Sequence, residues 1–587
     1  MTFDRQGDLS FRRDVERNTL QTGIAVNDLI TRLDDTGFIS PEGFGAKGDG
    51  VTDDTLSLQA AIDAAAGQSF RAVNTYLITA ALVLPSESTL VLDGATITQA
   101  TAGLHIMEAV SATNIRVLGG TFVGAGSSTT PASGVGIYGL GATALISLMT
   151  CTNVEVTGVE CSDFYSGIAV VGCTRANVHQ NYVHNWYLYA VLASESVDFQ
   201  VESNWLVGCD QAGAGNGYGV AATGDAAAGR TQRNGSISGN TIRDIPSWDG
   251  IMSHDCDGLR IVGNDIRNVR TGIDIGHVNA TNVIANVLVA DNYIEATTTN
   301  TWGASIAIHN GIGINGYSAS VLPTNVVVHN NTVSGFYGTA GWSYTGNLGS
   351  IAIQSADALI GGNCVHNQGN IVELAASVPG IYAIDQSGQL SIISNRFHGY
   401  AHSGGVRLAN VLATAVTITG NVIHQLVTTD LGIYITGSTI PSIAIGHNAT
   451  NAVEPLGHDA STLGSSVETL TGTTDGTIAV YRDVLNIARG GAGLADLQIA
   501  TPSGQLRVID DTYSTALFRV YGATGNVQSY GALLTSNGAA QWSSGTGDPE
   551  SVVTATPGSL WSRTDGGAST TLYVKESGSG NTGWIAK

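Results

Sequence analysis

Ten asparagines between residues 181 and 448 each follow a short apolar run, and this recurrence limits the chain to one kind of architecture. They are Asn181 (VHQNYV), Asn204 (VESNWL), Asn240 (ISGNTI), Asn264 (IVGNDI), Asn292 (VADNYI), Asn331 (VHNNTV), Asn363 (IGGNCV), Asn395 (IISNRF), Asn421 (ITGNVI) and Asn448 (IGHNAT). The spacing ranges from 23 to 39 residues. A unit that keeps its strand and turn while its length varies is one coil of a solenoid, with insertions leaving from one side. Asparagine tolerates the left-handed backbone of a sharp turn, and stacked amides hydrogen-bond from coil to coil. The ten are therefore read as a structural ladder, each at the left-handed position of its turn.

A second strand with alternating pattern recurs in the same coils: GIAVVG at 167–172, GVAATG at 219–224, GIMSHD at 250–255, GIDIGH at 272–277, SIAIHN at 305–310, SIAIQS at 350–355, GVRLAN at 405–410 and GIYITG at 432–437. Alternation directs Ile251, Ile273, Ile306 and Ile351 inward and the residues between them outward. One outward row then runs Ala169, Val191, Ala221, Met252, Asp274, Ala307, Ala352, Tyr382, Arg407 and Tyr434. A second runs through Ala193, Thr223, His254, Gly276, His309 and Gln354. Before the first asparagine, LVLDGATI, IRVLGGTF and VEVTGVEC carry glycine where later coils carry the amide.

Of the 587 residues, 76 are glycine and only 12% are charged, as expected where stacked coils expose Ser, Thr, Asn and Gly. The net charge of −23 argues against binding nucleic acid or an anionic membrane. The six cysteines have neither metal-type nor framework spacing and read as buried thiols. No apolar run resembles a signal peptide or is long enough to span a bilayer.

Residues 1–36 contain apolar positions at helical spacing and form an expected neck. Residues 37–69 read as a cap, in which Asp53 or Asp54 begins a helix that closes the open end of the solenoid. The glycines of GFGAKGDG follow no strand and lack a GK[ST] sequence, which argues against a nucleotide loop. The solenoid is expected over 70–455, and 456–587 differs, with short strands and Gly/Ser/Thr turns.

The segment GFGAKGDGVTDDTLSLQAAIDAA resembles the start motif of the pectate-lyase-like, right-handed parallel β-helix superfamily. The tail PGSLWSRTDGGASTTLYVKESGSGNTGWIAK resembles the carboxy-terminal ends of bacteriophage tail fibre and tailspike proteins. The resemblance implies an all-β, right-handed parallel β-helix with an amino-terminal cap helix and a β-rich carboxy-terminal region for trimerisation or carbohydrate contact. It further implies a homotrimer in a virion tail, bound to a baseplate or adaptor protein, that recognises and cleaves a bacterial surface polysaccharide. No cofactor or metal is expected.

Within that frame, ionisable residues concentrate between 244 and 310. Glycoside hydrolysis needs one protonated and one ionised carboxyl, about 5 Å apart for retention and about 6.5–9.5 Å for inversion. Asp274 with Asp255 or Asp249 is the expected pair, with His254 orienting or tuning one member. Trp248, His277, His309, Arg270, Trp186 and Tyr187 are the expected sugar contacts, the aromatics by stacking on sugar faces. In an intertwined trimer the acids could instead be Asp163, Asp210, Asp225, Glu373 or Asp385. A polysaccharide lyase is the enzymatic alternative; it needs a base and a cation beside a uronate, and the coils contain no lysine. A glycan-binding fibre without catalysis is the third reading.

Overall fold

The computed structural model describes residues 38–126, 144–209, 217–224, 232–276, 283–296, 312–366 without 317, 319 and 337–348, 379–400, 405–425, 431–450 without 447, strand segments between 454 and 535, and 540–587. The expected neck at 1–36 lies outside the described residues. By internal contacts the chain divides into two units, 1–481 and 482–587.

The first unit is a β-helix. Its coils build one sheet of 17 strands and another of 26, every neighbouring pair in parallel register among the described residues. Pairing begins with Phe38–Ile39 beside Ser69–Arg71, and it continues past 455 to Thr462–Leu463 beside Thr439–Ile440. The helix α1, Thr55–Ala64, buries Leu58, Ala61 and Ile62 on the first coils. The two aspartates before it divide the work. Asp53 accepts from the Thr55 amide at 3.0 Å, whereas Asp54 accepts from the amides of Lys47 and Gly48 at 2.6 and 3.0 Å. The amides of the glycine loop thus bond within the fold.

The strands that matter for the site are β1 (Tyr182–Ser194), β2 (Tyr218–Thr223), β3 (Thr241–His254), β4 (Asp265–Gly276), β5 (Ile312–Asn315), β6 (Ile351–Gln354), β7 (Ile381–Ile384), β8 (Val406–Ala409) and β9 (Leu431–Thr436). Ile251, Ile273, Ile312, Ile351, Ile381, Val406 and Ile433 are consecutive register partners down the inside, none more than 1% exposed. The fifth coil corrects the sequence reading. SIAIHN at 305–310 lies outside the described residues, and the strand paired to β4 is IGIN at 312–315, so Ile312 and Gly313 take the places expected for Ile306 and Ala307. The outward row likewise contains Leu192 rather than Val191, and Ser194 rather than Ala193 in its companion.

The asparagine ladder is buried throughout, each member at most 2% exposed. Each Nδ2 donates to the Oδ1 of the next rung at 2.8–3.0 Å, from Asn181 to Asn448. The left-handed residue, however, is the one before the ladder asparagine: Gln180, Ser203, Gly239, Gly263, Asp291, Asn330, Gly362, Ser394 and Gly420. That neighbour makes the bend, and the asparagine turns inward to meet the backbone of adjacent coils. Asn331, for example, also donates to the Val289 carbonyl at 2.9 Å and accepts from the Asn292 amide at 3.1 Å.

The second unit carries a three-stranded antiparallel sheet at 505–529 and a five-stranded sheet at 533–586. In the latter, Glu550 accepts from the amides of Gly583 and Trp584 at 2.8 and 2.7 Å, and Lys575 is buried and donates to the Thr582 carbonyl.

Removing one rung leaves buried donors and acceptors on both neighbouring coils without partners. Asn331→Ala is expected to lower unfolding stability by about 1–3 kcal/mol, measured by urea or thermal denaturation. A loss under about 0.5 kcal/mol, the range of an inert surface change, would show that the ladder is not a stabilising element.

Candidate functional site

Strands β1, β3 and β4 are long because each passes from one face of the solenoid to the next without breaking. The passage is made by Asn185, Asp244 and Asn268, all in left-handed backbone, with Asn268 Nδ2 donating to Asp244 Oδ1 at 2.7 Å. Just after this bend β3 carries Ile245, Pro246, Ser247, Trp248 and Asp249, while β4 carries Val269, Arg270 and Thr271. Ile245 pairs with Val269 and Asp249 with Thr271, so three residues of β3 stand opposite the single Arg270. Proline has no N–H to give the ladder and is tolerated at such a bulge. The bulge places the Trp248 ring against Arg270, whose guanidinium carbon lies 4.2 Å from the ring centroid.

Gly250 then turns the chain into the alternating part of β3. A Cβ there would come 2.5 Å from Ile266 Cγ2 and 2.9 Å from the Gly272 carbonyl oxygen, so only glycine fits against the core. The close approach explains why these strands open on glycine. It also creates a row that the alternation argument misses, formed by the residue before each glycine of β2 to β4 and before Ala190 of β1: Tyr189, Tyr218, Asp249 and Thr271 are register partners on β1 to β4. The rings of Tyr189 and Tyr218 stack at 5.3 Å, and Tyr218 meets Trp248 edge-on at 6.3 Å. An aromatic wall therefore leads to Asp249. Both tyrosines stood in the sequence directly before apolar runs of the same type, YAVLA and YGVAA.

Asp274 faces outward from β4 beside Met252 of β3 and Gly313 of β5. Its Oδ1 accepts from Asn315 Nδ2 at 3.1 Å. Asn315 occupies the place expected for His309 and was not anticipated; the glycine-led run GIGIN was its signal. Asp249, Asp274, Arg270 and Tyr218 act electrostatically on one another. Burial raises the Asp249 carboxyl far above the ordinary range, the charge of Asp274 raises it further, and Arg270 opposes both. Asp274 is raised less, by burial, with the Asn315 hydrogen bond and Arg270 holding it down. Such a pair takes up its protons in coupled steps. His254 lies one alternation beyond Met252, and burial lowers its imidazole to about 4. The Tyr218 phenol is pushed well above its usual value by burial and by Asp249.

Several expected residues go elsewhere. Asp255 is fully buried in left-handed backbone, at the turn position that Gly172 and Gly437 fill in other coils, and its Oδ1 accepts from the Val283 amide at 2.6 Å. It serves the turn, and the carboxyl that feels the charge of Asp274 is that of Asp249. Trp186 is 0% exposed inside the solenoid and offers no face to a ligand. Tyr187 is half-buried on the outside and stacks on Tyr165 at 5.2 Å. His277 and His309, with Asp210, Asp225 and Glu373, lie outside the described residues. Asp163 and Asp385 occupy left-handed turn positions.

The chain is similar to several known proteins. A family model described as a right handed beta helix region matches residues 166–348. A capsule-specific depolymerase of Klebsiella phage K5-2 is 66% identical over 38 residues, which are 6% of this chain and 5% of that protein. The match therefore spans only about a twentieth of the relative's length. Among solved structures, a double mutant of the tailspike protein of E. coli bacteriophage HK620 in complex with a pentasaccharide is 12% identical, with 75% of this chain and 79% of that chain covered and a TM-score of 0.45. The pre-mature gene product 12 of bacteriophage phi29 is 15% identical, with 80% and 60% covered and a TM-score of 0.46.

Raised carboxyls and a lowered imidazole link stability to pH with opposite signs. Asp249 and Asp274 titrate higher in the fold than in the unfolded chain. Their contribution is therefore full below the ordinary carboxyl range and is lost as pH rises towards the raised values. His254 contributes above the ordinary histidine range, and that contribution is lost as pH falls towards about 4. Asp249→Asn is thus expected to melt at the same temperature as wild type near pH 3, progressively higher than wild type as pH rises from the ordinary carboxyl range to about 8, and by a constant margin above that. A pH-independent difference in melting temperature would refute the burial of an ionisable Asp249.

Proposed function

We propose that this right-handed parallel β-helix chain is a phage tailspike-type depolymerase that binds and hydrolyses a bacterial surface polysaccharide between two carboxyls, Asp249 and Asp274. One observation carries the reading: two aspartates on adjacent coils share a desolvated outer face with a single arginine and have unequal raised proton affinities. Glycoside hydrolysis asks for one carboxyl that still holds its proton near neutral pH and one that has lost it. Asp249, the higher of the two, is the general acid that protonates the leaving oxygen. Asp274, held by Asn315, is the anion that acts as base or nucleophile and stabilises the positive charge developing on the sugar.

The lyase alternative fits the same face less well. Elimination needs a strong base and excess positive charge beside the uronate. Here the Tyr218 phenol is held protonated, the His254 imidazole is a weak base at about 4, and one arginine faces two carboxyls. Trp248, half-buried and set by Arg270, supplies the stacking surface beside Asp249, and the buried rings of Tyr189 and Tyr218 back it. His277 and His309 remain proposed sugar contacts from the sequence. The capsule-specific depolymerase match and the tailspike-like tail support placement in a virion tail. The same reading makes the protein a homotrimer attached through a baseplate or adaptor protein, with its carboxy-terminal region in trimer assembly.

The purified chain, incubated with a panel of bacterial capsular, O-antigen and exopolysaccharides, is expected to release reducing ends without the ultraviolet absorbance of an unsaturated uronate. Asp274→Asn and Asp249→Asn should each lower the rate by at least about 100-fold, the scale of a lost general acid or base, while Asp255→Asn retains cleavage. Unsaturated products would make the protein a lyase. Wild-type turnover in Asp274→Asn would remove that residue from the chemistry.

A further inference from the structure

The outward row that contains Met252 and Asp274 continues through Gly313 and Ala352 to three larger side chains. Tyr382, Arg407 and Tyr434 are register partners on β7, β8 and β9. The Arg407 guanidinium carbon lies 5.5 Å from the Tyr382 ring centroid and 5.7 Å from that of Tyr434. A cation is thus held between two rings, with all three side chains half-buried. Arg407 Nε is shielded from solvent and has no hydrogen-bond partner. Among the described residues no ion pair involves Arg407. Asp385, which turns the chain directly after β7, is engaged by Gln354, whose Nε2 donates to Asp385 Oδ2 at 2.8 Å.

A desolvated donor without an acceptor is costly, and guanidinium is the side chain best matched to a planar, two-oxygen acceptor in its own plane. The rings flank the guanidinium from the coils on either side of it. A carboxylate lying in that plane satisfies Nε together with one terminal nitrogen, whereas a tetrahedral phosphate projects oxygens out of it. The rings also suit the apolar face of a pyranose. We infer that Tyr382, Arg407 and Tyr434 form a distal subsite that binds a uronic acid residue of the glycan, sugar face on a tyrosine and carboxylate on Arg407. The inference rests on the proposed function for the identity of the ligand as a polysaccharide. Arg407 stands four sheet steps from Asp274, about 19 Å. The uronate is therefore held intact, away from the bond that is cut, and the subsite selects acidic chains without any role in elimination.

The test is calorimetric titration of the full chain with trigalacturonate and with its carboxyl-reduced, neutral counterpart. Wild type is expected to bind the acidic trimer at least tenfold more tightly than the neutral one. Arg407→Gln should lose that tenfold preference while its affinity for the neutral trimer stays the same, and Arg407→Lys should recover only part of it, because an ammonium cannot form the fork. Equal affinity for the two trimers, no binding of either, or an unchanged preference in Arg407→Gln would overturn the subsite. So would dissociation of the assembly in sedimentation of Arg407→Gln, since the missing anion would then lie on a second copy of the chain. The two readings fail separately. A retained acid preference in a protein that cleaves no glycan would sink the hydrolase and leave the subsite. Cleavage that depends on Asp274 without any acid preference would sink the subsite alone.

Discussion

Everything in the first unit depends on adjacent coils staying in parallel register, and two kinds of interaction share that task unequally. The inward stack of Ile251, Ile273, Ile312, Ile351, Ile381, Val406 and Ile433 supplies most of the stability, at about 1.5–3 kcal/mol for each side chain fully removed from water. That term is non-directional and constrains only which face points inward. The asparagine ladder contributes less per residue, but its amides must meet particular carbonyls and amides on the neighbouring coils, and a slip would leave them buried and unpaired. Aliphatic burial holds the coils together, and the amides decide where each coil sits on the next.

The site follows from that register and from one local departure from it. Regular stacking brings Met252, Asp274 and Gly313 into line. The bulge at Pro246 to Trp248 then adds residues on one strand only, which places Trp248 on Arg270. The result is a face on which two carboxyls compete for a single guanidinium under desolvation. In water such a pair would ionise together at acid pH; here removal from solvent raises both and their mutual repulsion separates them further. The unequal proton affinities thus arise from position within the fold and require no difference in residue type.

Much of this was legible in the residues, though at different resolution. The ladder asparagines were visible because their burial in identical turns repeats a pattern, but their backbone role was misassigned. The bend belongs to Gln180, Ser203, Gly239 and their equivalents, whose identities vary because a left-handed exposed position accepts several residue types. Asp274 and Met252 were placed on one face by alternation alone. Asp255 was grouped with them because it follows His254, yet a single left-handed residue turns its side chain into the fold and onto the Val283 amide. Trp186 was expected to meet sugar, and it fills the core instead because it directly follows the left-handed bend at Asn185, as the buried Ile245 and Val269 follow Asp244 and Asn268 on the next strands.

The fifth coil separates the two kinds of information. SIAIHN and GIGIN carry the same alternation a few residues apart, and either could pair with GIDIG; only pairing in three dimensions selects the second, bringing Asn315 rather than His309 to Asp274. The sequence by itself determined the coil, its inward residues, the region where ionisable groups gather and the absence of lysine from the repeats, because each of these depends on local period or composition. Only the tertiary structure decided which aspartate joins Asp274, that Tyr189 and Tyr218 lead to it, and that Arg407 lies between two tyrosines. Those relations cross from coil to coil, where loops of unequal length hide register from any one-dimensional spacing.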